Sequence, residues 1–349
     1  MYQKLAAWGN LLLAYQKAAK GKRGHPNVAA FEHRLEDNLL ELQKELQAKT
    51  YSPGAYASFY IHEPKRRLIS AAPFRDRVAH HALCNLIEPI FEKRFIFDSY
   101  ANRVGKGTHR ALNRAQEFAR KYPYVLQCDI RQFFPAIDHA ILRGNLTRRI
   151  SDPDVLWLCD QILASGAGVL SKEYEMNWFD GDDLFAKLRL RGLPIGNLTS
   201  QFWANVYLNP FDHFVKRKLG CQAYIRYVDD FLLFARDKKT LWRWKAEIEQ
   251  RLGEMRQTIH PHAAPRPVTE GFTFLGFCIY PNQRRLKRAK GLYYQRKLAD
   301  MKKAYARGEL TFADMTVSVQ GWVNHARFAN TIGLRKSLLG STKIIAPGA

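Results

Sequence analysis

The sequence predicts an α+β fold, in which helices surround a small number of short strands. Residues 35–46 repeat leucine at intervals of four, three and four positions, which is typical of a helix with one buried face. Residues 124–129 form a short apolar run that ends in an acid, as expected of a buried strand. Residues 223–234 place two runs of β-forming residues around Asp229-Asp230, which predicts a hairpin with acids at its turn.

The charge balance predicts a polyanionic partner. Lys and Arg number 55 against 32 Asp and Glu, a formal net charge of +23 over 349 residues. Such an excess favours nucleic acid first and an anionic membrane second. The five cysteines are scattered and never form a C-x-x-C pair, which indicates neither a disulfide framework nor a zinc ribbon. No apolar stretch approaches the ~18 residues of a membrane span, so we expect a cytoplasmic protein with no membrane partner.

The first third of the chain predicts helices followed by a basic hairpin. Residues 1–50 have helical periodicity, and residues 56–61 and 63–70 predict two strands joined by a basic turn. A helix is expected from Arg75 to Phe91. Arg67 and Arg75 are candidates for phosphate contacts, although a solvated basic face is an equally good interpretation of both. Residues 101–108 lack the spacing of a phosphate loop and are expected to lead into a helix.

The run that ends in Asp129 predicts a cation site. An unpaired acid at the end of an apolar strand is costly to bury, so it requires a cation or several hydrogen-bond donors. A bound metal is the simplest explanation. A helix is expected from about Asp138, and residues 151–190 predict a helix that gives way to an irregular polar segment.

The middle of the chain predicts a glycine-flanked loop that leads into a long helix. Gly192 and Gly196 bracket Leu-Pro-Ile, which allows the backbone to approach a flat partner, and a helix is expected from there to Lys218. The acidic hairpin follows directly. A further helix is predicted over 240–252, and a glycine-punctuated hairpin over 271–279.

Residues 281–310 carry ten basic side chains against two acids, with three tyrosines among them. Basic and aromatic side chains interleaved on helices suit a nucleic-acid backbone, because the salt-dependent phosphate contribution needs many cations on one face. The alternative is a basic helix that is merely solvated.

Asp129, Asp229 and Asp230 indicate a catalytic metal site only when they are considered together. An adjacent Asp pair is by itself more often a solvated turn than a metal site. Two-metal phosphoryl transfer, however, needs carboxylates from separate elements, and Asp129 lies about 100 residues before Asp229-Asp230 with the glycine-proline loop between them. In this order the motifs resemble the palm of reverse transcriptases.

The resemblance implies a right-hand polymerase fold with fingers, a palm of antiparallel sheet and helices, and a helical thumb. Residues 129–134 look like the first palm motif, in which Phe134 is the gate against a ribose 2′-hydroxyl, and residues 227–230 match the family's signature tetrapeptide. Residues 274–277 resemble the primer grip, and residues 321–325 the thumb. The implied catalytic residues are Asp129, Asp229 and Asp230, and the implied metal site consists of the same three residues and Ile130. The metal is two Mg²⁺ ions, with Mn²⁺ as a substitute.

The same resemblance implies a division of the chain and a set of nucleotide contacts. Residues 1–50 are an N-terminal helical segment, residues 51–122 with part of 139–190 are fingers, residues 123–138 and 191–280 are palm, residues 281–340 are a basic helical thumb, and residues 341–349 are a flexible tail. The implied nucleotide-binding residues are Arg67, Arg75, Phe134, Ile195, Gly196 and Gln201.

Two positions differ from most reverse transcriptases. Ile195-Gly196 stands where Gln-Gly is usual, and Ser200-Gln201 stands where Ser-Pro is usual. This pattern resembles the reverse transcriptases of diversity-generating retroelements, which copy a template-repeat RNA with errors at adenines for mutagenic retrohoming. An isoleucine there removes an amide that could hydrogen-bond to the template–nucleotide pair. The implied partners are template RNA, a cDNA or primer strand, dNTPs and a small basic multimeric accessory variability protein.

A further departure concerns the proton donor to pyrophosphate. Relatives place a lysine before the 274–277 hairpin, whereas this sequence has His262, which is a possible general acid or a neutral surface histidine. Two alternative functions remain at this stage. One is a reverse transcriptase of the retron or phage-defence type, and the other is an RNA-binding scaffold without activity, which the three aspartates disfavour.

Overall fold

The protein is a mixed helix and strand structure, seen in a computed structural model that describes residues 1–62 and 66–340. Part of the expected second strand, residues 63–65, and the expected tail, residues 341–349, lie outside the described residues. The helices are α1 Tyr2–Leu5, α2 Trp8–Ala19, α3 Pro26–His33, α4 Leu35–Ala48, α5 Phe74–Glu92, α6 Thr108–Lys121, α7 Phe133–Ala136, α8 His139–Thr147, α9 Pro153–Gly166, α10 Leu198–His213, α11 Lys238–Glu254, α12 Arg288–Ala306, α13 Phe312–Ala326 and α14 Ile332–Gly340. The strands are β1 Ala57–Ile61, β2 Arg67–Ala71, β3 Tyr124–Asp129, β4 Tyr224–Tyr227, β5 Asp230–Ala235, β6 Arg266–Pro267, β7 Phe272–Phe274, β8 Phe277–Ile279 and β9 Arg284–Leu286.

The strands form three separate antiparallel sheets. The central sheet has the order β4-β5-β3-β6, so β3 lies between β5 and β6 although 100 residues separate it from β5 in the chain. The hairpin β1-β2 and the sheet β7-β8-β9 stand apart from it. β5 is buried at five of its six positions, which explains why its sequence is continuously apolar rather than alternating.

Helices pack against the central sheet and bury one large core. Leu39, Leu42 and Leu46 of α4 are fully buried, as the leucine spacing predicts. α10 lies at the centre of this core and contains the buried Trp203, Tyr207 and Phe211. It ends at His213 and continues as a π-helical turn over Phe214–Lys218, so the helix expected through Lys218 does extend that far but changes its winding.

Side-chain caps begin several helices at the expected places. The Asp138 carboxylate accepts the Ile141 amide at 3.0 Å, and the Asp152 carboxylate accepts the Asp154 amide at 3.0 Å. These bonds satisfy amides that the first helical turn leaves without a partner. The chain from Ala167 to Arg191 contains only two short 3₁₀ turns, so the helix expected after residue 151 ends at Gly166.

The C-terminal helices form their own small core. The rings of Tyr294 and Trp322 stack with centroids 4.3 Å apart, next to the buried Leu298 and Ala326. Among the described residues, no helix combines the length and the apolarity that crossing a bilayer requires.

Candidate active site

Asp129 and Asp230 lie directly opposite each other in adjacent strands of the central sheet. Asp129 is the last residue of β3, Asp230 is the first residue of β5, and the antiparallel register pairs them. Residues paired in this way have Cα atoms roughly 4.5–5.5 Å apart. The Asp129 side chain is 44% exposed, so it can reach a ligand from solvent. Two carboxylates far apart in sequence therefore meet at one end of the sheet.

Asp229 lies in the two-residue turn that joins β4 to β5. Tyr227 pairs with Asp230, which leaves Val228 and Asp229 as the loop of the hairpin. Val228 has φ of +59°, a conformation that a β-branched residue rarely adopts and that glycine normally fills at the first position of such a turn. The Asp229 carbonyl accepts the Ile130 amide at 3.2 Å, which ties the turn to the end of β3.

Arg226 supports this turn from inside the protein. Its Nε and one terminal nitrogen donate to the two carboxylate oxygens of Asp212, both at 2.7 Å, and both side chains are completely buried. Its other terminal nitrogen donates to the Val228 carbonyl at 3.0 Å. Burial disfavours the charge of Arg226, but Asp212 outweighs this effect, and the pKa of the guanidinium is raised. The charged Arg226 guanidinium thus holds the Val228-Asp229 turn from the interior of the protein.

Other polar groups complete the environment of this buried pair. Arg226 also donates to the side-chain oxygen of Asn205 at 3.1 Å and to the Ser99 hydroxyl at 3.3 Å. The Tyr224 hydroxyl donates to Asp212 at 2.8 Å. Since a buried charge is tolerated only when its hydrogen-bonding capacity is filled, these contacts explain how the pair is accommodated in an apolar core.

The Asp129 carboxylate has a histidine neighbour. His260 Nε2 lies 3.6 Å from Asp129 Oδ2, and the His260 amide donates to the Asp129 carbonyl at 3.0 Å. A short bridge between Ile130 and Ile259 holds this segment against the end of β3. His262 lies two residues further along and is exposed. The histidine that the structure places beside Asp129 is His260.

The donor set is suited to magnesium. Within the described residues, no three His, Cys, Asp or Glu side chains converge closely enough to hold an ion by themselves. Mg²⁺ does not need such a cage, because it usually retains waters and is bound by one or two carboxylates together with substrate phosphates. Asp129 and Asp230, opposed and open to solvent on one side, provide a pair of hard oxygen donors of this kind.

The glycine-flanked loop is fixed to the second strand of the β1-β2 hairpin. The Ser70 amide donates to the Ile195 carbonyl at 2.8 Å. The buried Asn197 side chain donates to the Ser70 carbonyl at 2.8 Å and accepts the Ala72 amide at 3.1 Å. We call these three bonds the loop clamp. They bring Ile195 and Gly196 to β2, which also contains Arg67.

Gly196 is required by its backbone conformation and by its close packing. Its φ is +116°, and a Cβ atom at this position would lie 3.0 Å from the Cγ2 atom of Ile69. The Ile195 side chain is partly buried beside it, and Gln201 is exposed in the first turns of α10. The expected nucleotide loop therefore has little freedom to shift relative to β2.

The remaining predicted nucleotide contacts have different surroundings. Arg67 is exposed and pairs with Ile61 in the hairpin. Arg75 forms ion pairs with Glu45 and with Asp76, and its guanidinium lies over the ring of Tyr51, so in this structure it joins α5 to α4. Phe134 packs edge-on against Phe133 with centroids 5.3 Å apart, and its carbonyl accepts the Leu193 amide at the start of the loop.

Sequence reasoning missed Arg226, Asp212 and His260. A signal for Arg226 was available, because a basic residue inside an apolar strand requires a buried counter-charge. Nothing in the local sequence identified Asp212 as that partner, since it lies on a helix 14 residues earlier.

Comparisons with known proteins agree with this geometry. The family model described as reverse transcriptase (RNA-dependent DNA polymerase) matches residues 61–279, more than half of the chain. Protein YkfC of Escherichia coli is 24% identical over 231 residues, which cover 64% of this chain and 54% of that protein. The group II intron-encoded protein LtrA of Lactococcus lactis is 27% identical over 183 residues, 52% of this chain and 28% of LtrA. The mitochondrial nuclear intron maturase 2 of Arabidopsis thaliana is 25% identical over 171 residues, 44% of this chain and 23% of the maturase. The chain thus spans about half of the first relative and about a quarter of the other two.

Proposed function

The chain belongs to the reverse transcriptase (RNA-dependent DNA polymerase) family, and from this membership we propose that it synthesises DNA on an RNA template with Asp129, Asp229 and Asp230 as its catalytic residues. The observation that carries the proposal is the pairing of Asp129 with Asp230 across β3 and β5, next to the turn that contains Asp229. In this assignment the central sheet is the palm, the β1-β2 hairpin belongs to the fingers, and α12 to α14 form the thumb.

The reaction joins the primer 3′-oxygen to the α-phosphorus of a dNTP and releases pyrophosphate. When bound by the aspartates, two divalent ions would activate the 3′-hydroxyl and neutralise charge on the triphosphate. The chain's own contribution is positioning. Arg226 holds the Val228 carbonyl, and β3 holds Asp129 in register with Asp230, so the backbone that carries these carboxylates is fixed before a substrate arrives.

The loop clamp positions the nucleotide side of the site. In this proposal Ile195 and Gly196 face the template–nucleotide pair, Phe134 restricts the sugar, and Arg67 contacts the triphosphate. Arg75 and Gln201 complete the predicted set, and Arg75 would have to exchange its carboxylate partners Glu45 and Asp76 for phosphate. An arginine binds carboxylate and phosphate oxygens in the same fork geometry, so a phosphate can replace the carboxylate partners of Arg75.

At the finer level we propose an error-prone enzyme of a diversity-generating retroelement. The support is Ile195 followed by Gly196, with Gln201 after Ser200. The apolar side chain at position 195 cannot form a hydrogen bond that checks base-pair geometry, which favours misincorporation in general. Errors directed to template adenines, and mutagenic retrohoming, are what the resemblance to this group of enzymes implies. The net charge of +23 suits the structured template RNA. A small basic multimeric accessory protein is the remaining proposed partner, and the cytoplasm is the proposed location.

A second candidate is an intron-type reverse transcriptase without adenine bias. The relatives favour it, because LtrA is an intron-encoded protein and another is a nuclear intron maturase. Sequencing the cDNA made in vitro separates the two candidates. Errors concentrated at template adenines support the retroelement assignment, and errors spread evenly over the four bases contradict it.

Primer extension tests the common function. The protein is incubated with an RNA template, a DNA primer, dNTPs and Mg²⁺, and the extended primer is quantified. Asp230→Asn should abolish extension, because it removes one of the two opposed carboxylate charges. Glu247→Gln, an exposed change on α11, is the matched control and should keep full activity. Extension by Asp230→Asn at the wild-type rate would contradict the assignment of Asp230 to the catalytic site. If the wild type extended no primer, whether or not its own template RNA was supplied, the proposal of polymerase activity would be contradicted.

A further inference from the structure

We propose that a basic surface at the end of α10 far from the loop clamp binds the phosphate backbone of a structured template RNA. We call it the distal basic surface, and it consists of Lys93, Arg94, Arg148, Arg149, His213 and Arg217. It extends the proposed polymerase function, but its test measures RNA binding and does not depend on polymerisation.

Three helices end together at this surface. α5 ends at Glu92, α8 at Thr147 and α10 at His213. The His213 ring nitrogen Nε2 lies 2.9 Å from the Arg94 carbonyl, which joins the ends of α10 and α5. Arg148 and Arg149 line a cleft of about 190 Å³ together with His213, which joins the end of α8 to the same surface.

The cleft is lined by polar as well as basic side chains, since Asn145 and Asn209 lie in its wall. The side-chain oxygen of Asn209 is buried and presents no surface to a ligand. The cations therefore carry the recognition, and RNA is the polyanion that the proposed function supplies.

The cations of this surface are not neutralised by nearby acids. Lys93, Arg94, Arg148, Arg149 and Arg217 are exposed, and in the described part of the chain none of them forms an ion pair with a carboxylate.

Acids that lie near these cations in the sequence are engaged elsewhere. Glu92 pairs with Arg103 at 2.6 Å, Asp98 pairs with Lys216 at 3.1 Å, and Asp152 pairs with the N-terminal ammonium group at 2.8 Å. Asp212 pairs with the buried Arg226.

Compensation of helix dipoles does not account for this charge. Basic residues are common at helix C-termini, where each helix carries roughly half a negative charge. Three helix ends sum to about −1.5, which offsets less than a third of the five arginine and lysine charges. The excess is available to an external anion, and a nucleic-acid backbone presents many regularly spaced phosphates.

The surface lies far along α10 from the loop clamp. α10 begins at Leu198, next to the loop clamp, and its 16 residues span about 24 Å at 1.5 Å per residue. The Debye length at physiological ionic strength is about 8 Å, so these charges act only on RNA that reaches them directly. A nucleotide paired with its template base at the loop clamp is beyond their range, whereas a long folded template RNA can extend to them.

The test compares two triple variants that each lose three positive charges. One is Arg94→Gln with Arg148→Gln and Arg149→Gln. The matched control is Lys121→Gln with Arg236→Gln and Lys239→Gln, which removes exposed cations at the opposite end of β3 and β5 from the aspartates. Dissociation constants are measured over a range of salt for a long stem-loop RNA, a DNA stem-loop of the same sequence, a short primer–template duplex and phosphatidylserine vesicles, all in EDTA.

We expect the distal variant to bind the stem-loop RNA about tenfold or more weakly, with a salt slope lower by about 2–3, because each lost phosphate contact removes roughly 0.9 from that slope. Short-duplex binding and primer extension should stay within twofold of wild type. An equal loss in the control variant, or unchanged RNA binding in the distal variant, would overturn the proposal. Equal affinity of the wild type for the DNA stem-loop would overturn the assignment to RNA, and a loss confined to binding of phosphatidylserine vesicles would assign the surface to membranes instead.

Discussion

Arg226 and Asp212 form a two-bond ion pair with no solvent exposure, and the same Arg226 donates to the Val228 carbonyl in the turn that contains Asp229. The pair therefore connects the interior of the protein to the proposed catalytic turn. Removing one partner of a buried ion pair destabilises a protein more than replacing both charged groups by apolar ones. Variants of the two kinds can therefore separate the contribution of the pair to stability from its role in positioning the turn.

We expect Asp212→Ala to lower the free energy of unfolding by about 3–5 kcal/mol, because it leaves a buried guanidinium without its counter-charge. Replacing Asp212, Arg226 and Tyr224 together by Leu, Met and Phe removes both charges and the hydroxyl that Asp212 accepts. This variant should lose less stability than Asp212→Ala, because only neutral acceptors, among them those on Asn205 and Val228, lose a donor. It should nevertheless extend primers about tenfold more slowly, because a lost charge-assisted bond costs roughly 1.5–3 kcal/mol. Urea denaturation and primer extension measure the two quantities, and full activity in the triple variant would contradict a positioning role.

We expect Gly196→Ala to destabilise the protein by about 1–3 kcal/mol and to raise the KM for dNTPs, because alanine is strained at φ of +116° and its Cβ meets Ile69. Gly144→Ala in α8 is the matched control. No atom lies within 4 Å of a Cβ at that position, so alanine should stabilise the helix by about 1 kcal/mol. Thermal unfolding and dNTP titrations are the measurements, and an unchanged KM in Gly196→Ala would remove the loop from the nucleotide site.

We expect His260→Gln to lower the rate of primer extension by about tenfold or more, because His260 lies 3.6 Å from the Asp129 carboxylate and general acid–base groups typically contribute at least this much. His262→Gln should stay within about twofold of wild type. Single-turnover extension at several pH values compares the two variants. The opposite result, a large effect at His262 alone, would restore His262 as the proton donor predicted from the sequence.

We expect stability to fall in acid because of His80. Burial lowers the pKa of this imidazole from 6.5 to about 3, and its Nε2 has no hydrogen-bond partner in the described part of the chain. Between these two values the unfolded chain binds a proton that the folded protein does not, so stability decreases as the pH falls below 6.5. The loss attributable to His80 is about 2 kcal/mol at pH 5. Urea denaturation at pH 7 and pH 5 should show a smaller difference in His80→Asn than in wild type or in the exposed-site control His33→Asn.

Much of the sheet end that carries the proposed catalytic residues could be predicted from the sequence, because its signal is local. An apolar run that ends in Asp129 and a second that begins at Asp230 predict two strands, and the structure confirms both as β3 and β5. The helix predicted from Arg75 to Phe91 is likewise confirmed, with one further residue at each end. These features depend on periodicity and turn chemistry within a short window.

What could not be predicted depends on contacts between distant segments. His260 and His262 are equivalent as sequence, and only the bridge between Ile130 and Ile259 decides which of them reaches Asp129. The partner of Arg226 is similarly undetermined by composition, since several acids lie within 30 residues of it. The loop clamp joins residues 127 positions apart, and no periodicity reports such a pairing.

The sequence separation across the loop clamp has a kinetic consequence. Contacts between residues more than a hundred positions apart form slowly, because the loss of chain entropy on closing so large a loop precedes any gain from the contact. Ser70 and Ala72 are synthesised long before Asn197, so during that interval the β1-β2 hairpin lacks the Asn197 side chain that the loop clamp supplies. The glycine-flanked loop can therefore be fixed to β2 only after Asn197 has been synthesised. A chain whose synthesis stops before Asn197 would contain Asp129 on β3 but would lack both β5 and the loop clamp.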